Sequence, residues 1–143
     1  MKIEQILYKN GKFNKKPLQR ENIDWVLVFE SRKLVEDNNI FDEIRIMYPS
    51  AYIMGCSSAG EIQRNTIADN SLNITAVNFE KSQALFGSVE IEDNCSFFDV
   101  GVMLAEKIDK NDLKHVFILT DGVNINGSKL IYGIKSILGL MFQ

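Results

Sequence analysis

The sequence holds little of what covalent or metal chemistry needs. Cysteine occurs twice, at Cys56 and Cys95, and histidine once, at His115. Two thiols make no disulfide framework, and one imidazole supplies no zinc signature. Neither sign of charge dominates: 16 Lys and Arg stand against 19 Asp and Glu, for a formal net charge of −3. Nothing in that balance suggests the basic surface of a nucleic-acid partner, and none is expected. Long apolar runs are absent as well. The longest, such as Trp25–Phe29 and Val116–Leu119, are strand-sized, far short of the roughly 18–20 residues of a membrane span, so no membrane insertion is expected. The opening residues Met1-Lys-Ile-Glu-Gln contain no apolar signal segment, and the chain reads as cytoplasmic and reduced. What is present is ordinary globular material, 45% hydrophobic and 24% charged over 143 residues. A chain of that length can bury roughly 70% of the surface its unfolded form exposes.

The pattern along the chain is an alternation of strands and helices. Lys2–Tyr8 reads as a strand. Asn10-Gly11 is a turn dipeptide, and the basic run after it (Lys12, Lys15, Lys16, Arg20) reads as a solvated loop. Trp25–Phe29 is apolar throughout, the pattern of a strand covered on both faces. Ser31 can cap a helical stretch reaching about Tyr48, with Leu34, Phe41, Ile44 and Tyr48 on one side, a possible break at Asn38-Asn39 and a stop at Pro49. Tyr52–Gly55 is a short strand entering the segment Cys56–Glu61. Ser71–Phe79 and Gln83–Ile91 read as an antiparallel hairpin, with a change of apolar parity at Ala76-Val77 that implies a bulge or burial on two sides. Ser96 and Asp99 form a capping-box pattern ahead of a helix bearing Val100, Met103, Leu104 and Ile108, and Phe97-Phe98 reads as core. His115–Thr120 reads as a final strand, Asp121–Gly127 as a polar loop, and Ser128–Leu138 as a helix with Leu130, Ile131, Ile134, Ile137 and Leu138 on one face. The fold class expected is α/β: a mixed β-sheet, parallel crossover units plus an antiparallel hairpin, with packed helices.

Open α/β sheets bind ligands beyond the carboxyl ends of their strands. Two segments occupy such positions, Gly55–Glu61 and Thr120–Ser128, and both are rich in small and polar residues. The second is not a phosphate-binding loop. In Gly127-Ser128-Lys129 the lysine stands one position late, which turns it about 100° around the helix. Nor is it a calcium loop, because Gly122 and Gly133 would occupy the two positions that need carboxylates. The first resembles a hydrolase elbow at Gly55-Cys-Ser57-Ser-Ala59. No helical pattern follows it, however, and His115 and Asp121 stand at opposite ends of one strand. Cys56 as a nucleophile would need an adjacent cation, base or helix N-terminus, which its immediate sequence does not supply.

The blocks Val28-Phe29-Glu30-Ser31, Tyr48-Pro49, Gly55-Cys56-Ser57-Ser58-Ala59-Gly60-Glu61-Ile62 and Leu119-Thr120-Asp121-Gly122-Val123-Asn124-Ile125-Asn126-Gly127 occur in order. Together they resemble the N-terminal part of the FIST domain, named for F-box and intracellular signal transduction proteins. Glu30 and Val123 depart from the family pattern in detail. Residues 1–23 read as an N-terminal strand and loop, and the resemblance, which runs from about Asp24 to Gly139, implies a FIST-like α/β domain over 24–143, incomplete at its C-terminus, with Leu140–Phe142 beginning a further strand. It also implies a sensory module of bacterial signal transduction, not an enzyme, without a cofactor or metal. Such a module binds a small amino-acid-like ligand and acts on a signalling output protein or domain. The residues carried over as ligand-binding are Cys56, Ser57, Ser58, Gly60, Glu61, Asp121, Gly122, Asn124, Asn126 and Gly127. Asp121 and Glu61 would accept from an ammonium, and backbone N–H groups near Gly60 and at the last helix would donate to a carboxylate. The two segments are expected to meet at one rim of the sheet. The competing reading is an enzyme using Cys56 or Asp121.

Overall fold

A computed structural model describes residues 1–17, 22–35, 38–63, 66–91 and 95–139. The chain divides into two units, Met1–Ala84 and Leu85–Gln143, each with its own apolar cluster.

In the first unit, β1 (Lys2–Lys9) turns back as the short β2 (Lys12–Phe13). Asn10 and Gly11 between them have φ of 53° and 77°. Two consecutive positive φ values make the turn whose twist matches that of the flanking strands, and Asn-Gly is the pair that adopts it most readily. Pairing therefore continues to Phe13, past the point where the sequence suggests loop, and its ring lies 4.8 Å from that of Tyr8. Leu18–Glu21, the end of that loop, lie outside the described residues.

There follow β3 (Trp25–Ser31), α1 (Arg32–Val35), α2 (Asn38–Met47), β4 (Tyr52–Ser58), β5 (Glu61–Gln63), β6 (Thr66–Ala68) and β7 (Ser71–Asn78). Five strands form one sheet in the order β2-β1-β7-β3-β4, and β5 and β6 form a separate hairpin. β3 and β4 run parallel, joined through the helices, while β7 is antiparallel to both β1 and β3. The fold is thus α/β with a mixed sheet, as the alternation implies.

Residues 36 and 37, between α1 and α2, lie outside the described residues, so the expected break is not tested, and α2 has a buried stripe of its own. Ile40, Ile44, Met47 and Tyr48 are buried, a spacing of four, three and one. Phe41, expected in the core, lies about 100° around the helix from Ile40 and is 52% exposed. The Arg45 guanidinium stands 5.9 Å from its ring centroid. The helix stops before Pro49, which cannot continue it.

The parity change in β7 is burial on two sides. Its register with β1 runs unbroken from Lys9↔Ser71 to Lys2↔Asn78, which leaves no room for a bulge. The expected hairpin of Ser71–Phe79 with Gln83–Ile91 is not formed. Both edges of β7 are already paired, with β1 and β3, so a third strand has no hydrogen-bonding edge to join. Residues 83–91 belong to neither sheet.

In the second unit, α3 (Phe97–Glu106) and α4 (Gly127–Leu138) pack on each other. Ser96 caps α3: its Oγ accepts the Asp99 N–H at 3.1 Å and donates to the Asp99 carboxylate at 2.6 Å. The helices cross at Gly101 and Gly133. A Cβ on Gly101 would lie 2.2 Å from the Leu130 carbonyl oxygen, and one on Gly133 2.0 Å from that of Phe98. Close approach through these glycines turns the small-residue face of α3 toward its partner. Phe98 and Met103, expected inside, are left 42% and 43% exposed, and Ile131 of α4 is 39% exposed.

His115–Thr120, expected as a strand, belongs to neither sheet. Val116 and Ile118 pack against the cluster of Val100, Ala105, Leu130, Ile134 and Leu138, whereas Phe117 between them is 53% exposed. Among the described residues, packing on this cluster rather than a ladder accounts for the apolar run. Leu140–Phe142 lie outside the described residues.

Candidate functional site

The first candidate segment is less of a loop than its composition suggests. β4 continues through Ser58, so Cys56, Ser57 and Ser58 are strand residues opposite Phe29, Glu30 and Ser31 of β3. Alternation then separates them. Cys56 and Ser58, half-buried, share a sheet face with Phe29 and Ser31, and Ser57 stands exposed on the other face. Gly55 is a packing residue, since a Cβ there would lie 2.3 Å from the Val28 carbonyl oxygen. Only Ala59-Gly60 remain as a bend before β5. Glu61 opens β5 opposite Ala68, and its side chain lies outside the described residues. The hairpin that follows explains why no helical pattern succeeds Gly60.

The second segment is a true loop, and it is organised by its own side chains. The Asp121 carboxylate accepts the Val123 N–H at 2.9 Å and the Asn124 Nδ2 at 2.8 Å. These bonds hold its pKa below the ordinary 3.8, the Val123 N–H contributing most and Asn124 next. Asn126 caps α4, its Oδ1 accepting from Lys129 N at 3.1 Å. The helix therefore begins one residue earlier than expected, at Gly127, and Asn126 rather than Ser128 closes its first turn. Asp121, Gly122, Asn124, Asn126 and Gly127 are all exposed. Neither Gly122 nor Gly127 has an atom within 4 Å of where a Cβ would stand, and neither has a positive φ.

The lowered pKa of Asp121 sets a pH dependence. The carboxylate bonds are intact above the ordinary value and are lost as pH falls through the lowered one. In an NMR titration the Val123 amide is expected to follow one protonation with a midpoint below 3.8, and Asp121→Asn is expected to remove that titration. A midpoint at or above the ordinary value would mean the turn does not hold the charge.

One polar position escaped the sequence reading. Asn73 lies in the middle of β7, is 6% exposed and donates from Nδ2 to the Ile62 carbonyl oxygen of β5 at 3.1 Å. An asparagine inside an apolar strand run was the available signal. Ser31, taken from sequence as a helix cap, is the last residue of β3.

Among the described residues no group of three His, Cys, Asp or Glu side chains could hold a metal ion, and no helix is long and apolar enough to cross a membrane. In comparison with known proteins, the model of the FIST N domain matches residues 24–141. No curated protein and no solved structure matches the chain.

Proposed function

Because the chain belongs to the FIST N domain family, a domain associated with signal transduction, we propose that it is a sensory module that binds a small, amino-acid-like ligand in the cytoplasm. It passes that event to a signalling output protein or domain. The residues proposed as ligand-binding are Cys56, Ser57, Ser58, Gly60 and Glu61 in the first unit and, each unit taken by itself, Asp121, Gly122, Asn124, Asn126 and Gly127 in the second.

The observation that carries this reading is the character of the second loop. Asp121 is kept ionised by bonds within the loop while remaining exposed, so it can accept from a ligand ammonium without rearranging. Gly122 and Gly127 meet no crowding and need no special backbone conformation. The fold has no use for glycine there, whereas a ligand approaching bare backbone N–H groups does. An enzyme using Asp121 as a general acid is disfavoured by the same facts. A carboxyl held below its ordinary pKa carries no proton to transfer near neutral pH.

A thermal-shift panel of the common amino acids tests the reading. At least one is expected to raise the melting temperature in a concentration-dependent way. Asp121→Ala is expected to abolish the shift. Gly127→Ala is expected to keep or slightly raise the unliganded stability, by up to about 1 kcal/mol from helix propensity, while weakening binding. Uniform absence of shifts, or shifts indifferent to both substitutions, would defeat the assignment.

A further inference from the structure

On the sheet face opposite α2, the ladder aligns Leu7, Asn73, Phe29 and Cys56 in one row. The next row toward the carboxyl end of β3 contains Lys9 opposite Ser71, and Ser31 opposite Ser58. The β5–β6 hairpin is tied to this corner by two bonds from β7. Asn73 Nδ2 donates to the Ile62 carbonyl oxygen and Ser71 Oγ to that of Ala68, each at 3.1 Å. Because Ile62 offers an acceptor, the Asn73 amide must turn its nitrogen toward it, which fixes the direction of Oδ1. That oxygen is buried and receives no hydrogen bond among the described residues. Ser31 Oγ is likewise buried without a partner among the described residues. Buried polar atoms of this kind are rare in folded proteins and ask for an explanation.

We infer that this corner is a binding position for a neutral hydrogen-bonding group, a hydroxyl or carboxamide, of a small molecule. The inference rests on reading the chain as a small-ligand binder, and it adds Asn73 and Ser31 to the residues responsible. Asn73 Oδ1 accepts from the ligand, and Ser31 Oγ, which can donate or accept, completes the pair. The two residues are diagonal neighbours on one face, with Cβ atoms roughly 7 Å apart. An ammonium is the wrong group here. It would lose its hydration against neutral acceptors flanked by Leu7 and Phe29, with the cation of Lys9 on the adjoining row.

The test follows the Asn73 side-chain amide of the full chain by NMR during titration with acetamide, ethanediol and methylammonium. Acetamide or ethanediol is expected to give a saturable shift, with methylammonium at least about tenfold weaker. Ser31→Ala removes only a hydroxyl with no partner among the described residues, so it is expected to melt no lower than the parent and to weaken acetamide or ethanediol binding at least about tenfold. It is preferred to variants of Asn73, which also break the bond to Ile62. No saturable shift with any probe, as solvent alone at Asn73 would give, overturns the inference, and so does binding indifferent to Ser31→Ala. If amino acids shift the melting temperature through Asp121 while Asn73 stays unmoved, the inference falls and the sensory reading stands. If the amino-acid panel is silent but acetamide or ethanediol binding depends on Ser31, the two-segment assignment falls and this position stands.

Discussion

Alanine at Gly133 is expected to undo much of the packing between α3 and α4. Its Cβ would stand 2.0 Å from the Phe98 carbonyl oxygen and 3.1 Å from the Gly101 Cα. Both are backbone atoms that cannot swing aside, so the helices must separate and the cluster of Val100, Ala105, Leu130, Ile134 and Leu138 opens with them. Alanine gains about 1 kcal/mol of helix propensity over glycine. The forced separation costs more, since even modest overpacking costs about 1–3 kcal/mol with side chains free to adjust. A net loss of at least about 2 kcal/mol is expected once cluster contacts are given up as well. It is measurable as a lower helical melting temperature and as faster amide exchange in α3 and α4. Gly101→Ala is expected to act alike, with its Cβ 2.2 Å from the Leu130 carbonyl oxygen, whereas Gly127→Ala in the same helix meets no atom within 4 Å and should not destabilise. Equal stability of Gly133→Ala and Gly127→Ala would refute the close crossing.

The second large effect lies in the sheet. Ile74 is fully buried, at 0% exposure, and stands in register with Ile6 on one side and Val28 on the other. It packs in the cluster that includes Ile44 and Tyr48. Ile74→Ala is expected to cost about 2–5 kcal/mol, because paired strands on both sides prevent the cavity from collapsing. Urea unfolding followed by Trp25, the chain's single tryptophan and a residue of β3 in the same sheet, reports it as a lower midpoint. Ile3→Ala, at a position 56% exposed at the sheet's edge, is expected to change stability by less than about 0.5 kcal/mol. A loss below about 1 kcal/mol for Ile74→Ala would show that the site relaxes and that the two-sided pairing of β7 is loose.

The elements with a local cause were the ones readable from the chain. Asn10-Gly11 dictates its turn because few other pairs accept two positive φ values, and Ser96 with Asp99 marks a helix start through bonds made within four residues. The stop before Pro49 is of the same kind. Failures came where the outcome depends on a distant partner. Gln83–Ile91 carries strand-like composition, yet β7 had no edge left for it. His115–Thr120 is apolar because one side meets the helices, and periodicity does not distinguish that from a ladder.

The candidate site divides along the same line. Asp121, Asn124 and Asn126 are arranged by bonds spanning two or three residues, so their loop follows from its own sequence. The placing of Cys56 and Ser58 on one face with Asn73 and Ser31 does not. It required the register of three strands drawn from separate parts of the chain. Sequence alone settled the class of fold, the Asn10-Gly11 turn and the Ser96 cap, the last two being short-range consequences of backbone preference and polar satisfaction. Tertiary structure decided which apolar residues are core, why α3 and α4 meet at glycines, and which polar side chains share a face. Those outcomes depend on excluded volume and hydrogen-bonding edges that exist only once distant segments compete for the same space.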